Sequence, residues 1–170
     1  MSIISNTTVI SNFASIGHLD LLRRLYDVLY ISTEVFEEIQ AGLEEGYRFY
    51  RDIELLIYPF AEEGWLRLTS MADTEEFRLF GALPPRFHQG EASCLAIARH
   101  RRWTLLTDDK ATRDEAIRQR IRLSGSVGCL VLAVEHGLCT LEQANTWLHE
   151  MIEQDYRSPV TDITPLLEFC

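Results

Sequence analysis

Apolar residues fall along this chain in two ways: in short unbroken runs, and in longer stretches spaced three or four apart. The first pattern marks buried strands and the second amphipathic helices. Ser2–Ser5 predicts an opening strand, and Asn6-Thr7-Thr8 follows it. Phe13, Ile16, Leu19, Leu22 and Leu25 form one stripe and predict a single helix over Ser11–Tyr26. Val28–Ile31 is the next strand. Ser32 or Thr33 then caps a helix over Glu34–Ala41, ended by Gly42, with Val35, Phe36 and Ile39 facing inward. Residues 43–64, rich in Glu, Tyr and Phe, predict a further helix near Glu44–Pro59. Trp65–Leu68 predicts a short strand and residues 73–80 a helical turn.

Pro84-Pro85 breaks the chain before its most patterned stretch, Gln89–Arg113. Gly90 and Glu91 open a helix there. Leu95, Ala98 and Arg102 continue one stripe, and Ala92, Cys94 and Ile97 widen it. Trp103–Thr107 is an apolar run of strand type that ends in two adjacent carboxylates, Asp108 and Asp109. A helix over Lys110–Arg120, a strand over Ile121–Ser124 and an apolar helix over Cys129–His136 follow, the last opened by Gly125-Ser126-Val127-Gly128. Thr140 caps a final helix to about Gln154, and the tail from Tyr156 reads as irregular.

Strands that alternate with helices predict one parallel α/β sheet covered on both faces. In such a sheet Asn6, after the first strand, and Asp108 and Asp109, after a later one, lie at the same edge. The crevice beyond the carboxyl ends of the strands is where open α/β sheets bind ligands. Glu91 at a helix start and the Asp108–Asp109 pair can therefore converge on one cation. Each acid also has a purely structural use. Glu91 suits a first helical turn through the helix dipole, Asp108 or Asp109 can cap the next helix, and Glu38 can be a solvated helix residue.

Composition narrows the class. The chain has 170 residues, 46% hydrophobic and 25% charged, as expected of one soluble globular domain. It has no apolar run of bilayer length and no basic-then-apolar leader. Cys94, Cys129, Cys139 and Cys170 lack C-x-x-C spacing and read as buried thiols, which predicts a reducing, cytoplasmic setting. A net charge of −10 argues against binding nucleic acid by bulk electrostatics. It leaves room for a nuclease whose carboxylates hold divalent cations, because bound cations reverse the local charge. Arg99–Arg102 and Arg113–Arg122 supply local positive charge or a solvated face. The Gly125–Gly128 turn lacks a P-loop lysine and a G-x-G-x-x-G pattern and reads as close packing. His18, His88, His100, His136 and His149 show no ligand spacing.

The chain resembles the PIN-domain family, in particular prokaryotic PIN-like proteins of about this length that are relatives of VapC-like toxins. The resemblance runs over nearly the whole chain. It rests on Ser5–Gly17, on Val35-Phe36-Glu37-Glu38-Ile39, on Gly90-Glu91-Ala92, on Leu105–Asp109 with Arg113, and on Ser124–Gly128. It implies a three-layer α/β/α sandwich around a central, mainly parallel sheet, as a single domain over residues 1–170. It further implies a Mg²⁺- or Mn²⁺-dependent ribonuclease acting on single-stranded RNA, in bacteria often the toxin of a toxin–antitoxin pair. The family acids correspond to Glu38, Glu91 and Asp109, with Asp108 adjacent. Thr107 matches a position that shapes the site, and Arg113 belongs to the same motif. Asp109 is preferred over Asp108, since the family pattern favours the second position after the threonine. Asn6 stands where the family usually has a metal-binding Asp. It offers a neutral carbonyl oxygen and removes a full negative charge from the expected set.

Two other classes remain open on the residues. One is a PIN-like module with a lapsed metal site that binds RNA or protein. The other is a small-molecule α/β enzyme, against which stands the missing Asp nucleophile after the first strand. The resemblance also implies a homodimer, and the apolar segment Cys129–Val134 fits either its interface or the internal core. An antitoxin is expected to cover the acidic cleft.

Overall fold

A computed structural model describes residues 1–167. Its centre is a six-stranded sheet in the order β3-β4-β2-β1-β5-β6, formed by β1 (Ile3–Ser5), β2 (Leu29–Ser32), β3 (Ile57–Tyr58), β4 (Leu66–Thr69), β5 (Thr104–Leu106) and β6 (Leu123–Ser124). Every pairing is parallel, with Ile4 opposite Tyr30 on one side and Leu105 on the other. Helices cover both faces, so the expected α/β/α sandwich is the fold. Chain order runs outward from β1 through β2, and the later strands β5 and β6 are added on β1's other side. The reversal falls between β1 and β5, the place where such sheets open a crevice at their carboxyl ends.

One helical layer holds α3 (Thr33–Glu44), α4 (Thr74–Ala82), α5 (Gln89–Arg101) and α6 (Lys110–Arg118). The other holds α1 (Thr7–Ser15), α2 (Asp20–Tyr26), α7 (Ser126–Glu135) and α8 (Leu141–Glu153), with the short α9 (Thr164–Leu167) against α7. The core joins the two layers through the sheet, with Ile4, Ile31, Leu66, Leu105 and Leu106 fully buried between them.

The structure redraws several elements. The single helix expected over Ser11–Tyr26 is two. Gly17, at φ +74°, follows the C-cap of α1; its N–H donates to Ala14 O and that of His18 to Phe13 O, each at 3.0 Å. This paired closure turns the chain before Asp20 starts α2. Helix α3 does not stop at Gly42. That glycine is needed for packing, because a Cβ there would stand 3.0 Å from the Tyr50 ring. No helix spans 44–59. Two 3₁₀ turns, Arg48–Tyr50 and Ile53–Leu56, lead into β3. Arg102 does not extend the stripe of α5 but caps it in the left-handed region at φ +59°, and Ala92–Ala98 are buried without a break. Helix α5 lies between the sheet and the helices α3 and α4, so it is apolar all round. The tail holds a helix, α9. Cys129, Leu130 and Ala133 of α7 are buried against α2 and α8, while Val131, Leu132 and Val134 are half-buried, so one side of the apolar segment 129–134 belongs to the internal core. Cys94 and Cys129 are buried free thiols, Cys139 is half-buried, and Cys170 lies outside the described residues.

Candidate active site

The sequence residues singled out above gather around the carboxyl ends of β1 and β5. Asn6 leaves β1 with its N–H donating to Leu106 O at 3.0 Å, which stitches the two strand ends together. Asn6 is the N-cap of α1: its Oδ1 accepts from Thr8 N at 3.2 Å and from Thr8 Oγ1 at 2.7 Å. Its Nδ2 donates to Thr107 Oγ1 at 2.7 Å. The side chain is 1% exposed and fully hydrogen-bonded, so Asn6 holds the frame of the site.

Glu38 projects from α3, half-buried, while Glu37 and Gln40 beside it are exposed. Its Oε1 accepts from Gly90 N at 2.9 Å and its Oε2 from Thr7 Oγ1 at 2.7 Å. The carboxylate rests directly on the first turn of α5, which only a glycine permits. A Cβ at residue 90 would stand 2.1 Å from Glu38 Oε1. Glu91, the next residue, accepts from His88 N through Oε2 at 3.1 Å. Asp109 is the N-cap of α6, its Oδ2 accepting from Thr112 N at 2.9 Å and Thr112 Oγ1 at 2.7 Å. The capping use anticipated for Asp109 is therefore real, Glu91 caps its own helix start as well as suiting its dipole, and each of these contacts occupies one oxygen. No protein donor reaches Glu91 Oε1 or Asp109 Oδ1 among the described residues.

Burial raises Glu91 above the usual carboxylate range, and the neighbouring charges of Asp109 and, more weakly, Glu38 push the same way against the His88 N–H. Glu91 thus senses both other carboxylates, and among the described residues no Lys or Arg is paired to any of the three. One turn before Glu38 on α3, Glu34 has a buried Oε1 that no hydrogen-bond donor meets among the described residues.

Asp108 is not with them. Adjacent residues leaving a strand point to opposite sides, and Asp108 turns toward α1 and α7. Its Oδ2 accepts from Asn12 Nδ2 at 2.8 Å and, closely, from Ser126 Oγ; its Oδ1 accepts from Ser126 N at 2.8 Å and Tyr156 OH at 3.3 Å. Both oxygens are spoken for, so the expectation that Asp108 joins the metal set gives way to a role at the amino end of α7. Arg113 reaches back to Thr107 O at 2.9 Å. Gly125 lies beneath these groups, where a Cβ would stand 2.5 Å from Asp108 Oδ1 and 2.9 Å from Arg113 Nη1.

A family model described as PIN domain matches residues 2–169. The chain belongs to the PIN-domain family. No curated protein matches it significantly. PIN domains form a nuclease-type superfamily that generally uses divalent metals and acts on nucleic acid. In this PIN domain no three or more His, Cys, Asp or Glu side chains among the described residues are arranged to hold a metal ion together. The donor set nevertheless fits a hydrated divalent cation. Glu91 and Asp109 each present an oxygen without a protein partner, and Mg²⁺ is typically held by one or two carboxylates together with water. The charge crowding that lifts Glu91 is of the kind such an ion relieves.

Thr7, Thr8, Asn12, Ser126 and Tyr156 contribute hydrogen bonds without a role assigned to them from the sequence. Thr8 was the most accessible of them, since Asn followed by Thr two residues on is the pattern of a capped helix start. Its Oγ1 also accepts from Asp108 N at 2.8 Å. Tyr156 carried no signal, because only the folded tail brings it to Asp108. Among the described residues no helix is long and apolar enough to cross a membrane.

Proposed function

We propose that this PIN domain is a metal-dependent ribonuclease that hydrolyses RNA phosphodiester bonds. The observation that carries the reading is the cleft at the β1–β5 switch point, where Glu38, Glu91 and Asp109 crowd without a compensating cation. Glu91 and Asp109 are the groups that would hold Mg²⁺ or Mn²⁺. A divalent ion there supplies a water of lowered pKa and neutralises charge on the phosphate oxygens during in-line attack. Glu38, fixed from two sides by Gly90 N and Thr7 Oγ1, would orient water beside that ion. Thr107 is held by Asn6 and receives Asp109 N at 3.2 Å, which sets the direction of Asp109. The natural setting of this reading is a cytoplasmic homodimer acting on single-stranded RNA, as the toxin partner of an antitoxin that covers the acidic cleft.

A second reading is favoured by Asn6. Both polar ends of its amide are committed to the frame, so the cleft lacks the carboxylate that PIN-type sites usually place there. A lapsed domain that binds RNA without cutting it fits this feature. One experiment separates the two: Mn²⁺ calorimetry and RNA cleavage on the native chain, Asn6→Asp and Glu91→Gln. The nuclease reading expects the native chain to bind Mn²⁺ and cut, and Glu91→Gln to lose at least about a hundredfold in rate. Cleavage by Asn6→Asp alone would establish the lapsed module. Absence of metal binding by both would remove the metal site altogether.

A further inference from the structure

On the far side of the Asp108–Asp109 step from the acidic cleft lies a cavity of about 520 Å³. That is within the roughly 300–1,000 Å³ of ordinary small-ligand sites. It is framed by the start of α6, the end of β6, the first turn of α7 and the tail at 156–159. Its walls divide by chemistry. Ile117, Val127 and Pro159 give an apolar side, and Tyr156 adds an aromatic ring tethered through its hydroxyl to Asp108. Arg113, Arg157 and Lys110 bring positive charge.

The local charges resolve clearly. Lys110 and Asp114 neutralise each other at 2.8 Å. Asp108 is saturated by Asn12, Ser126 and Tyr156. Arg113 gives one nitrogen to Thr107 O, which fixes its position and leaves further guanidinium donors. Arg157 is exposed. Those neutral donors leave the Asp108 charge in place, so what remains is Arg113 and Arg157 against Asp108, one net positive charge beside an apolar and aromatic wall, on a chain whose net charge is −10. An acidic cleft repels a polyanion until a cation sits in it, so a strand needs positive charge close by to be held.

The geometry points to this cavity as the seat of a nucleotide next to the scissile phosphate of a single-stranded RNA. Its base packs against Tyr156, Val127 and Pro159, and its phosphate meets Arg113 and Arg157. Single strands are bound through this pairing of a stacking surface with backbone-tracking cations. The placement follows from the strand end: Asp109 faces the cleft and its neighbour Asp108 faces the cavity, so a strand crossing β5 meets both. The inference rests on reading the cleft as the cutting site, but its test does not.

The test is fluorescence anisotropy of a labelled single-stranded decaribonucleotide in Ca²⁺ buffer, on the full chain and three exposed-site variants: Arg157→Glu, Ile117→Glu and Arg120→Glu. Arg120 lies beyond the carboxyl end of α6, outside the cavity lining, and is the control. Arg157→Glu is expected to weaken binding about tenfold and to lower the salt slope by about one. Ile117→Glu should weaken binding about threefold through the apolar wall. Arg120→Glu should change nothing, and thermal melts of all three should match the native chain. Equal affinity in all four proteins, equal loss on Arg120→Glu, or no RNA binding by the native chain overturns the proposal. Cleavage is scored separately with Mn²⁺ and Glu91→Gln. No cleavage by the native chain, or cleavage undiminished in Glu91→Gln, with intact pocket dependence breaks the nuclease reading alone, and cleavage lost in Glu91→Gln with no pocket dependence breaks this one alone.

Discussion

Two groups of carboxylates in this molecule meet opposite fates. Glu76 on α4, 1% exposed, accepts from Arg101 Nε at 2.7 Å and Nη2 at 3.1 Å, His100 Nδ1 lies at 2.9 Å, and the backbone N–H groups of Ala72 and Asp73 donate to it at 2.9 and 3.4 Å. Arg101, itself tied to Thr69 Oγ1 and Ser70 O, locks α5 onto α4 and the end of β4. With this company the Glu76 carboxyl is held down at about 2, chiefly by Arg101. Glu91, on the same helix as Arg101 but at its other end, is pushed up instead, by burial and by Asp109. The difference lies in what surrounds each acid. Donors converge on Glu76 from every side and close the site, whereas Glu91 meets other acids and keeps an oxygen free. A closed carboxylate contributes to folding, while a crowded one costs stability that a ligand can return.

The comparison can be broken at either end. The largest effect is expected from Glu76→Gln, which strands Arg101 and should cost about 3–5 kcal/mol, read as a lowered midpoint in urea unfolding. The native chain should show the same interaction as pH dependence. A carboxyl whose folded value is lowered stabilises above its unfolded value, near 4.3, and loses that contribution as pH falls toward 2. The loss should amount to about 3 kcal/mol and be absent in Glu76→Gln. Glu91 has the opposite sign: its raised value makes acidification through the carboxylate range relieve repulsion, which blunts the early part of the curve. Gly90→Ala should change stability by less than about 1 kcal/mol, because its Cβ meets only the movable end of the Glu38 side chain, but by displacing that carboxylate it should weaken Mn²⁺ binding in calorimetry. The smallest effect is Glu91→Gln without metal. Removing one charge from the cleft should raise Tm by about 2 °C, and added Mn²⁺ should stabilise the native chain but not this variant. A fall in Tm for that variant would mean that the cleft is not crowded.

Much of this was legible beforehand, and the reasons are local. Strands such as Ile3–Ser5 and Thr104–Leu106 are short apolar runs between polar ends, so their existence and parallel arrangement follow from pattern alone. Glu38, Glu91 and Asp109 were singled out by the family resemblance, since the local pattern of each is explained equally well by a helix start or a solvated helix face. The division of Asp108 from Asp109 was there to be read, since neighbours leaving a strand face opposite ways, but nothing nearby in sequence announces Asn12, Ser126 and Tyr156 as partners of Asp108. The break at Gly17 hid beneath a stripe that continues in register across it. Helix α5 misled for a different reason. A stripe was sought in a helix whose burial on all sides depends on neighbours placed elsewhere in the chain.

Asn6 has a consequence for how this fold relates to its ionic surroundings. Being neutral at every pH, it clamps the first strand to Thr107 with the same hydrogen bonds in acid and in base, and with or without magnesium. An aspartate there would add a further anion to a cleft already short of countercharge and would tie folding to cation supply. With asparagine the hydrogen bonds of the frame need no ion to hold them. Asn6→Asp should therefore melt earlier than the native chain in EDTA and gain more from Mn²⁺, turning an ion-indifferent scaffold into an ion-dependent one.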